Sequence, residues 1–266
     1  MTWLSAGWQV FPAEDATQAW LATARPAGLA AVRAARLRGD DLRHGGTWLA
    51  GVDLLDNDST GRVGQGVALG GAALRAAEAV TGRLPLHRAQ ISAIFAGYPG
   101  RDAAEIGPAD TAAEAAYRYR LLRDAAHLDG LLAEGAAKRR HLREPHGYIL
   151  GYGLSDASAG ASPLVVYEGS PAVMRAAFRD AFADHPPDHW GDVDVTAAYQ
   201  AARRRCFEQC KRVEIALAPG QAVLVHRLAL HGIAPWAKDG AAGPDGRAIA
   251  YFRPILPRRA DWLDLP

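Results

Sequence analysis

Arg123-Asp124-Ala125-Ala126-His127-Leu128-Asp129-Gly130 is the stretch around which the rest of the chain can be read. In an extended segment, side chains two residues apart share a face. His127 and Asp129 therefore present an imidazole and a carboxylate to the same space. Much later the chain runs Val225-His226-Arg227-Leu228-Ala229-Leu230-His231-Gly232. If His231 closes on the first pair, two imidazoles and one carboxylate meet, a donor set suited to a metal ion.

His226 also competes for the distal position. The two histidines are five apart, so on one continuous strand they face opposite sides and only one joins the pair easily. Gly232 and Pro235 place His231 at a strand end, and His231 is the expected ligand. His226 is then a core or orienting histidine.

Composition sets the frame. The 266 residues suit one domain, 1–266, and 49% apolar with 22% charged residues is ordinary for a chain with a packed core. A net charge of +1 gives no bulk attraction to nucleic acid or to a membrane surface. No apolar run reaches the length of a membrane span, and the start lacks the regions of a signal peptide. The two cysteines, Cys206 and Cys210, sit four apart, which is neither the redox nor the zinc spacing. They read as reduced thiols, and the expected compartment is the cytoplasm, the expected ligand a small molecule.

Outward from the motif, the pattern is strand and turn. Pro145 to Leu154 alternates, with Tyr148, Leu150 and Tyr152 on one face and Gly147, Gly151 and Gly153 on the other. A glycine face admits a ligand or another backbone. Arg88 to Tyr98, Leu164 to Tyr167, Val213 to Leu217, Val223 to His226 and Arg247 to Arg253 read as further strands. Thr47 to Leu55 reads as a strand ending in a turn. Helices are expected from Pro12 to Leu37, broken near Pro26 and Gly28, from Leu69 to Val80, after Ser170-Pro171, and from Asp194 to Gln209. The fold class is mainly β with flanking helices, an antiparallel barrel or jelly roll. N-terminal helices, about 12–82, are expected to pack on a core of about 88–254.

Two histidines and a carboxylate are the facial triad of non-haem Fe(II) oxygenases, which leaves three coordination positions open. A co-substrate such as 2-oxoglutarate needs a cation for its far carboxylate, and a guanidinium fork suits it. Arg247 and Arg253 share strand parity and lie roughly 20 Å apart, so one of them serves. Arg247, nearer the strand start, is the expected anchor. The same three ligands also suit a zinc hydrolase, which has no use for that arginine, or a non-catalytic small-molecule-binding cupin-like barrel. Trp236 is a candidate pocket wall. The segment from Gly100 to Asp124 and the loop around His185–Asp192 are candidate lids.

From about His44 to Pro254 the chain resembles the phytanoyl-CoA dioxygenase-like family of Fe(II)/2-oxoglutarate oxygenases. The matching pieces are Thr47-Trp48-Leu49-Ala50-Gly51-Val52-Asp53, Gln90-Ile91-Ser92, Asp124 to Gly130, Leu164 to Ser170, His226 to Gly232 and Arg247 to Arg253. The resemblance implies a double-stranded β-helix core. It implies Fe(II) on His127, Asp129 and His231, 2-oxoglutarate anchored by Arg247, and O2 as oxidant. Gln90 is implied as a contact to co-substrate or substrate. Related halogenases have a small residue in place of the carboxylate ligand, so Asp129 points to hydroxylation or another oxidation. The gap from His231 to Arg247, filled by Asp239 to Gly246, is longer than the family pattern.

Overall fold

The computed structural model describes residues 2–101 and 111–266. In chain order the elements begin with α1 (Trp3–Ala6), β1 (Trp8–Phe11), α2 (Asp15–Arg38), β2 (Leu42–Arg43), β3 (Trp48–Leu49), α3 (Ala72–Thr81), β4 (Gln90–Ile94) and α4 (Thr111–Arg123). There follow β5 (Leu131–Glu134), β6 (Arg139–Leu142), β7 (Tyr148–Gly153), β8 (Leu164–Glu168), α5 (Ser170–Phe182) and a 3-10 turn, Pro187–Asp192. The chain ends with α6 (Thr196–Gln209), β9 (Lys211–Ile215), β10 (Ala222–His226), β11 (His231–Ile233), β12 (Arg247–Phe252) and α7 (Asp261–Asp264).

The strands form a seven-stranded sheet in the order β1-β10-β7-β12-β4-β3-β2 and a three-stranded sheet in the order β11-β8-β9. Their pairings are antiparallel. β5 and β6 make a separate hairpin. Period-two alternation assigns the faces. On β7 and β12, Ile149 and Ile249 turn inward and share a core with Leu164 and Val166 of β8, Ile215 of β9, and Val223 and Val225 of β10. That core joins the two sheets face to face. Tyr148, Leu150, Tyr152, Ala250 and Phe252 turn the other way, into a core shared with Trp20 and Leu21 of α2 and Ala73 and Ala77 of α3. Outside the smaller sheet, the Tyr167 ring meets Phe207 of α6 at 5.1 Å. The molecule is therefore mostly β with helices on the outer faces, as the strand patterns predict.

Three expectations need correction. First, α2 is one continuous helix of 24 residues. Pro26 removes the hydrogen bond to the carbonyl of Ala22, but both residues are exposed, so water can satisfy that carbonyl. Gly28 does not break the helix either. A Cβ there would lie 3.0 Å from Leu154 and 3.1 Å from Ile91, so the glycine lets the helix approach the sheet. Second, the strand expected over Thr47–Leu55 is two residues long. The chain turns at Gly51, whose φ is +56° and whose Cβ would sit 2.2 Å from the Ile91 carbonyl oxygen. Third, the N-terminal region is not helical alone, because β1, β2 and β3 take both edges of the large sheet.

The glycine face of β7 is filled by protein. A Cβ on Gly151 would stand 2.6 Å from the Tyr251 ring, so Tyr251 lies across that glycine. Cys206 and Cys210 are free thiols. Among the described residues, no helix is long and apolar enough to cross a membrane.

Proline is about 3 kcal/mol worse than alanine inside a helix, offset in part by its restriction of the unfolded chain. Pro26→Ala should therefore stabilise the protein by about 1–2 kcal/mol. Urea unfolding would show this as a higher midpoint with an unchanged slope.

Candidate metal centre and its cavity

His127 does not lie in a full strand. It forms an isolated antiparallel bridge with His231, the first residue of β11. The His127 N–H donates to the His231 carbonyl at 2.7 Å, and the His231 N–H returns the bond at 3.1 Å. One further residue of extended chain is enough for the alternation argument to hold, and Asp129 then projects beside both rings. Ligand atoms of His127, Asp129 and His231 lie within 4.8 Å of one another.

Gly130 ends the segment with φ +84°, and a Cβ there would lie 2.1 Å from the Glu144 carbonyl oxygen. The crowding that requires glycine is thus backbone. Gly232 does the same for the distal ligand, since its Cβ would meet the Asp124 carbonyl oxygen at 2.1 Å.

The two rings are oriented alike. Nδ1 of His127 lies 3.0 Å from the Ala125 carbonyl, and Nδ1 of His231 lies 3.0 Å from the Ala229 carbonyl. A carbonyl only accepts, so in its neutral form each ring carries the proton on Nδ1 and turns Nε2 toward Asp129. Nε2 of His127 is 3.2 Å from Oδ1 of Asp129, and Nε2 of His231 is 3.8 Å from Oδ2.

Electrostatics fit the same reading. Burial alone would raise the Asp129 carboxyl, but His231, the His127 hydrogen bond and Arg253 together pull it well below its ordinary range. It is a carboxylate at neutral pH. Burial, with the His127 and Arg253 charges, pushes His231 down to about 4. Burial also opposes charge on His127, but Asp129 and the Ala125 carbonyl outweigh it and raise the ring. The His127 side chain is nonetheless 49% solvent-accessible, because it stands in an open cavity while protein surrounds it.

That cavity, of about 400 Å³, lies between the inner sheet faces. Trp48, Ile149, Leu164, Val225 and Ile233 make its apolar wall, and the three ligands stand on one side. Gln90 lines it, with its amide nitrogen given to the Ala50 carbonyl at 2.8 Å. Arg253 also lines it, its Nη1 3.3 Å from Oδ2 of Asp129. Arg247 does not line it. That guanidinium is buried, its Nε and Nη2 given to the Ser162 carbonyl, and its Nη1 has no hydrogen-bond acceptor among the described residues. The phenols of Tyr98 and Tyr251, both of which line the cavity, lie near enough to bear on the Arg247 charge.

Other expected residues lie elsewhere. Trp236 does not line the cavity and gives its ring N–H to Gly240. Trp48 serves as the aromatic wall, its ring N–H fixed on Ser92 at 3.0 Å. No residue of 185–192 lines the cavity. Of the other candidate lid, residues 102–110 lie outside the described residues, while Asp124 does line the wall. Arg43, His44, Tyr98 and Tyr251 contribute to the wall without any signal in the sequence beyond strand parity. His226 is fully buried, its Nδ1 accepting from the Leu228 N–H at 2.9 Å and its Nε2 beside Arg175.

No protein-family model matches the chain, and no curated protein matches it. Among solved structures, a non-haem alpha-ketoglutarate-dependent carbocyclase, SnoK from nogalamycin biosynthesis, aligns over 95% of this chain and 81% of its own, at 12% identity and a TM-score of 0.47. An N-substituted L-amino acid dioxygenase from Burkholderia ambifaria AMMD covers 49% of this chain and 43% of its own, at 17% identity and a TM-score of 0.22. The same dioxygenase in complex with alpha-KG covers 74% of this chain and 91% of its own, at 14% identity and a TM-score of 0.22. Likenesses this distant assign neither a family nor an activity to this chain.

Two predictions follow from the local chemistry. Gly130→Ala forces a left-handed backbone on alanine and a clash with Glu144, so it should cost more than about 2 kcal/mol in urea unfolding. His226 is pushed down to about 3 by burial and by Arg227 and Arg175. A folded-state value below the unfolded one means stability is full above about pH 6.5 and is lost as pH falls toward the folded value, at about 1.4 kcal/mol per unit. His226→Asn should lower stability at pH 7 yet flatten its decline on acidification below pH 6.5, read from urea midpoints at each pH.

Proposed function

We propose that this chain is a non-haem Fe(II)/2-oxoglutarate-dependent dioxygenase that hydroxylates an unactivated C–H bond of a small molecule. In this reading it belongs with the phytanoyl-CoA dioxygenase-like enzymes, and its facing sheets are a double-stranded β-helix. The observation that carries the reading is the convergence of His127, Asp129 and His231 on one side of an apolar cavity, with both Nδ1 atoms held on backbone carbonyls so that each Nε2 is turned toward Asp129.

The residues fit both absent groups. Two neutral imidazoles and one carboxylate suit Fe(II) and leave three positions for other ligands. A buried guanidinium without a carboxylate partner is costly unless an anion comes to it. Arg247 has this character, with an orphaned Nη1, but it does not itself line the cavity, so an anion there would reach it only past the Tyr98 and Tyr251 phenols. It is assigned to the far carboxylate of 2-oxoglutarate.

With both bound, O2 converts 2-oxoglutarate to succinate and CO2, and the second oxygen atom enters the substrate C–H bond to give an alcohol. The chain supplies the surroundings. The carbonyls of Ala125 and Ala229 hold the ligand rings in one tautomer. The wall of Trp48, Ile149, Leu164, Val225 and Ile233 keeps water from the reacting carbon.

Anaerobic addition of Fe(II) and 2-oxoglutarate should produce a visible metal-to-ligand charge-transfer band. His231→Ala should lose the band, Arg247→Ala should require much more 2-oxoglutarate, and Asp129→Ala should form no succinate. A folded, iron-loaded wild type without the band would overturn the reading in favour of a zinc hydrolase or a non-catalytic cupin-like barrel.

A further inference from the structure

We infer that the prime substrate is a small monoanion, a carboxylic acid on a largely apolar body, and that Arg253 is the residue that selects it. The inference rests on the Fe(II)/2-oxoglutarate reading above and extends it to the substrate.

Arg247, which opens β12, and Arg253, which directly follows it, cannot hold one small anion, because six residues of extended chain separate their backbones by roughly 20 Å. They also differ in surroundings. Arg247 sits behind Tyr98 and Tyr251, fixed on Ser162. Arg253 stands on the cavity wall beside Asp129, with its side chain 21% exposed. The backbone carbonyl of Arg253 is tied to the His146 ring at 2.8 Å, which keeps the residue in place at the strand end.

Charge decides what Arg253 receives. A divalent iron and Arg247 together bring three positive charges, and 2-oxoglutarate and Asp129 bring three negative ones, so those groups balance. Among the described wall residues, the remaining acid is Asp124. It is already held by Arg212 at 2.7 and 2.8 Å and by the Tyr167 hydroxyl at 2.9 Å. The remaining wall arginine, Arg43, pairs with Asp41 at 2.9 Å. Arg253 is left with a share of Asp129 at a long 3.3 Å, and its Nε has no hydrogen-bond acceptor among the described residues. Among the described wall residues one positive charge is therefore uncompensated in the loaded site, Glu144 beyond the wall bearing on Arg253 while it is held by His146 at 3.2 Å, and a fork of N–H donors there favours a carboxylate.

The rest of the wall describes the body. Trp48 and aliphatic side chains make its apolar part, with His44, Gln90, Ser92 and the Tyr98 and Tyr251 phenols beside them, and a cavity of about 400 Å³ that must also hold the co-substrate leaves room for a small molecule only. Because Arg253 touches a metal ligand, an acid held there presents its nearest carbons to the oxidant. Oxidation is then expected within the first few carbons from the carboxylate.

The test uses the Fe(II)- and 2-oxoglutarate-loaded protein under anaerobic conditions. The probes are straight-chain acids from hexanoic to decanoic, with 3-phenylpropanoic and 4-phenylbutanoic acids, each beside its primary amide. The readout is the shift of the charge-transfer band, which reports binding without turnover. At least one acid should bind about tenfold or more tighter than its amide, and the ratio should fall to within about threefold in Arg253→Gln. Amides binding as well as acids, no acid binding at all, or an acid preference untouched in Arg253→Gln would each overturn the inference. Loss of the band itself in Arg253→Gln would also overturn it, by assigning that residue to metal or co-substrate. Absence of the band in wild type is the separate failure of the oxygenase reading.

Discussion

Two backbone hydrogen bonds between His127 and His231 hold the site together. They tie a loop that leaves α4 to the first residue of β11, and they do so between the ligand residues themselves. Backbone bonding fixes the Cα positions before any side chain is considered. The remaining freedom is in the rings, and the Ala125 and Ala229 carbonyls remove it. Gly232 allows the approach, because any Cβ there would collide with the Asp124 carbonyl. The neighbouring N–H of Ile233 then bonds that same carbonyl at 2.8 Å. Ligand geometry is thus a consequence of strand pairing.

The second organising principle is charge. Four carboxylate or guanidinium groups stand on the described wall; Arg43 pairs outside it with Asp41, and Asp124, Asp129 and Arg253 each have a distinct solution. Asp124 is saturated by Arg212 and Tyr167. Asp129 is shared between two imidazoles and a guanidinium. Arg253 has the weakest partner of the three. Arg247, deeper in the fold, carries its charge against one carbonyl oxygen. Buried charge is costly unless paired, so the groups left under-paired indicate where a ligand is accommodated.

Period-two alternation made much of this legible in the sequence. It assigned the faces of β7 and β12, put His127 and Asp129 on one side, and separated His226 from His231. What alternation cannot show is which atoms stand opposite. Gly130 closes against the Glu144 carbonyl, a neighbour fourteen residues on that its own stretch does not announce. Gly28 and Pro26 looked like helix breakers, but one packs against the sheet and the other faces solvent. Trp48 rather than Trp236 became the aromatic wall, because β3 joins the edge of the large sheet while Trp236 follows β11 into a loop. The wall is set by pairings between segments far apart in the chain, and no local pattern reports them.

The short hairpin of β2 and β3 has a dynamic consequence. Each strand is two residues long and β2 is the outermost of the large sheet, yet together with the loop between them they supply Arg43, His44 and Trp48 to the cavity. The opposite wall comes from β7 and β10, strands of six and five residues inside the sheet. Cooperative stability scales with such pairing, so amide hydrogens of the hairpin should exchange far sooner than those of β7. The cavity is therefore bounded by one wall that opens through local fluctuation and another that opens only when the whole sheet unfolds. Exchange of a small molecule can follow the first without disturbing His127 and His231 on their bridge.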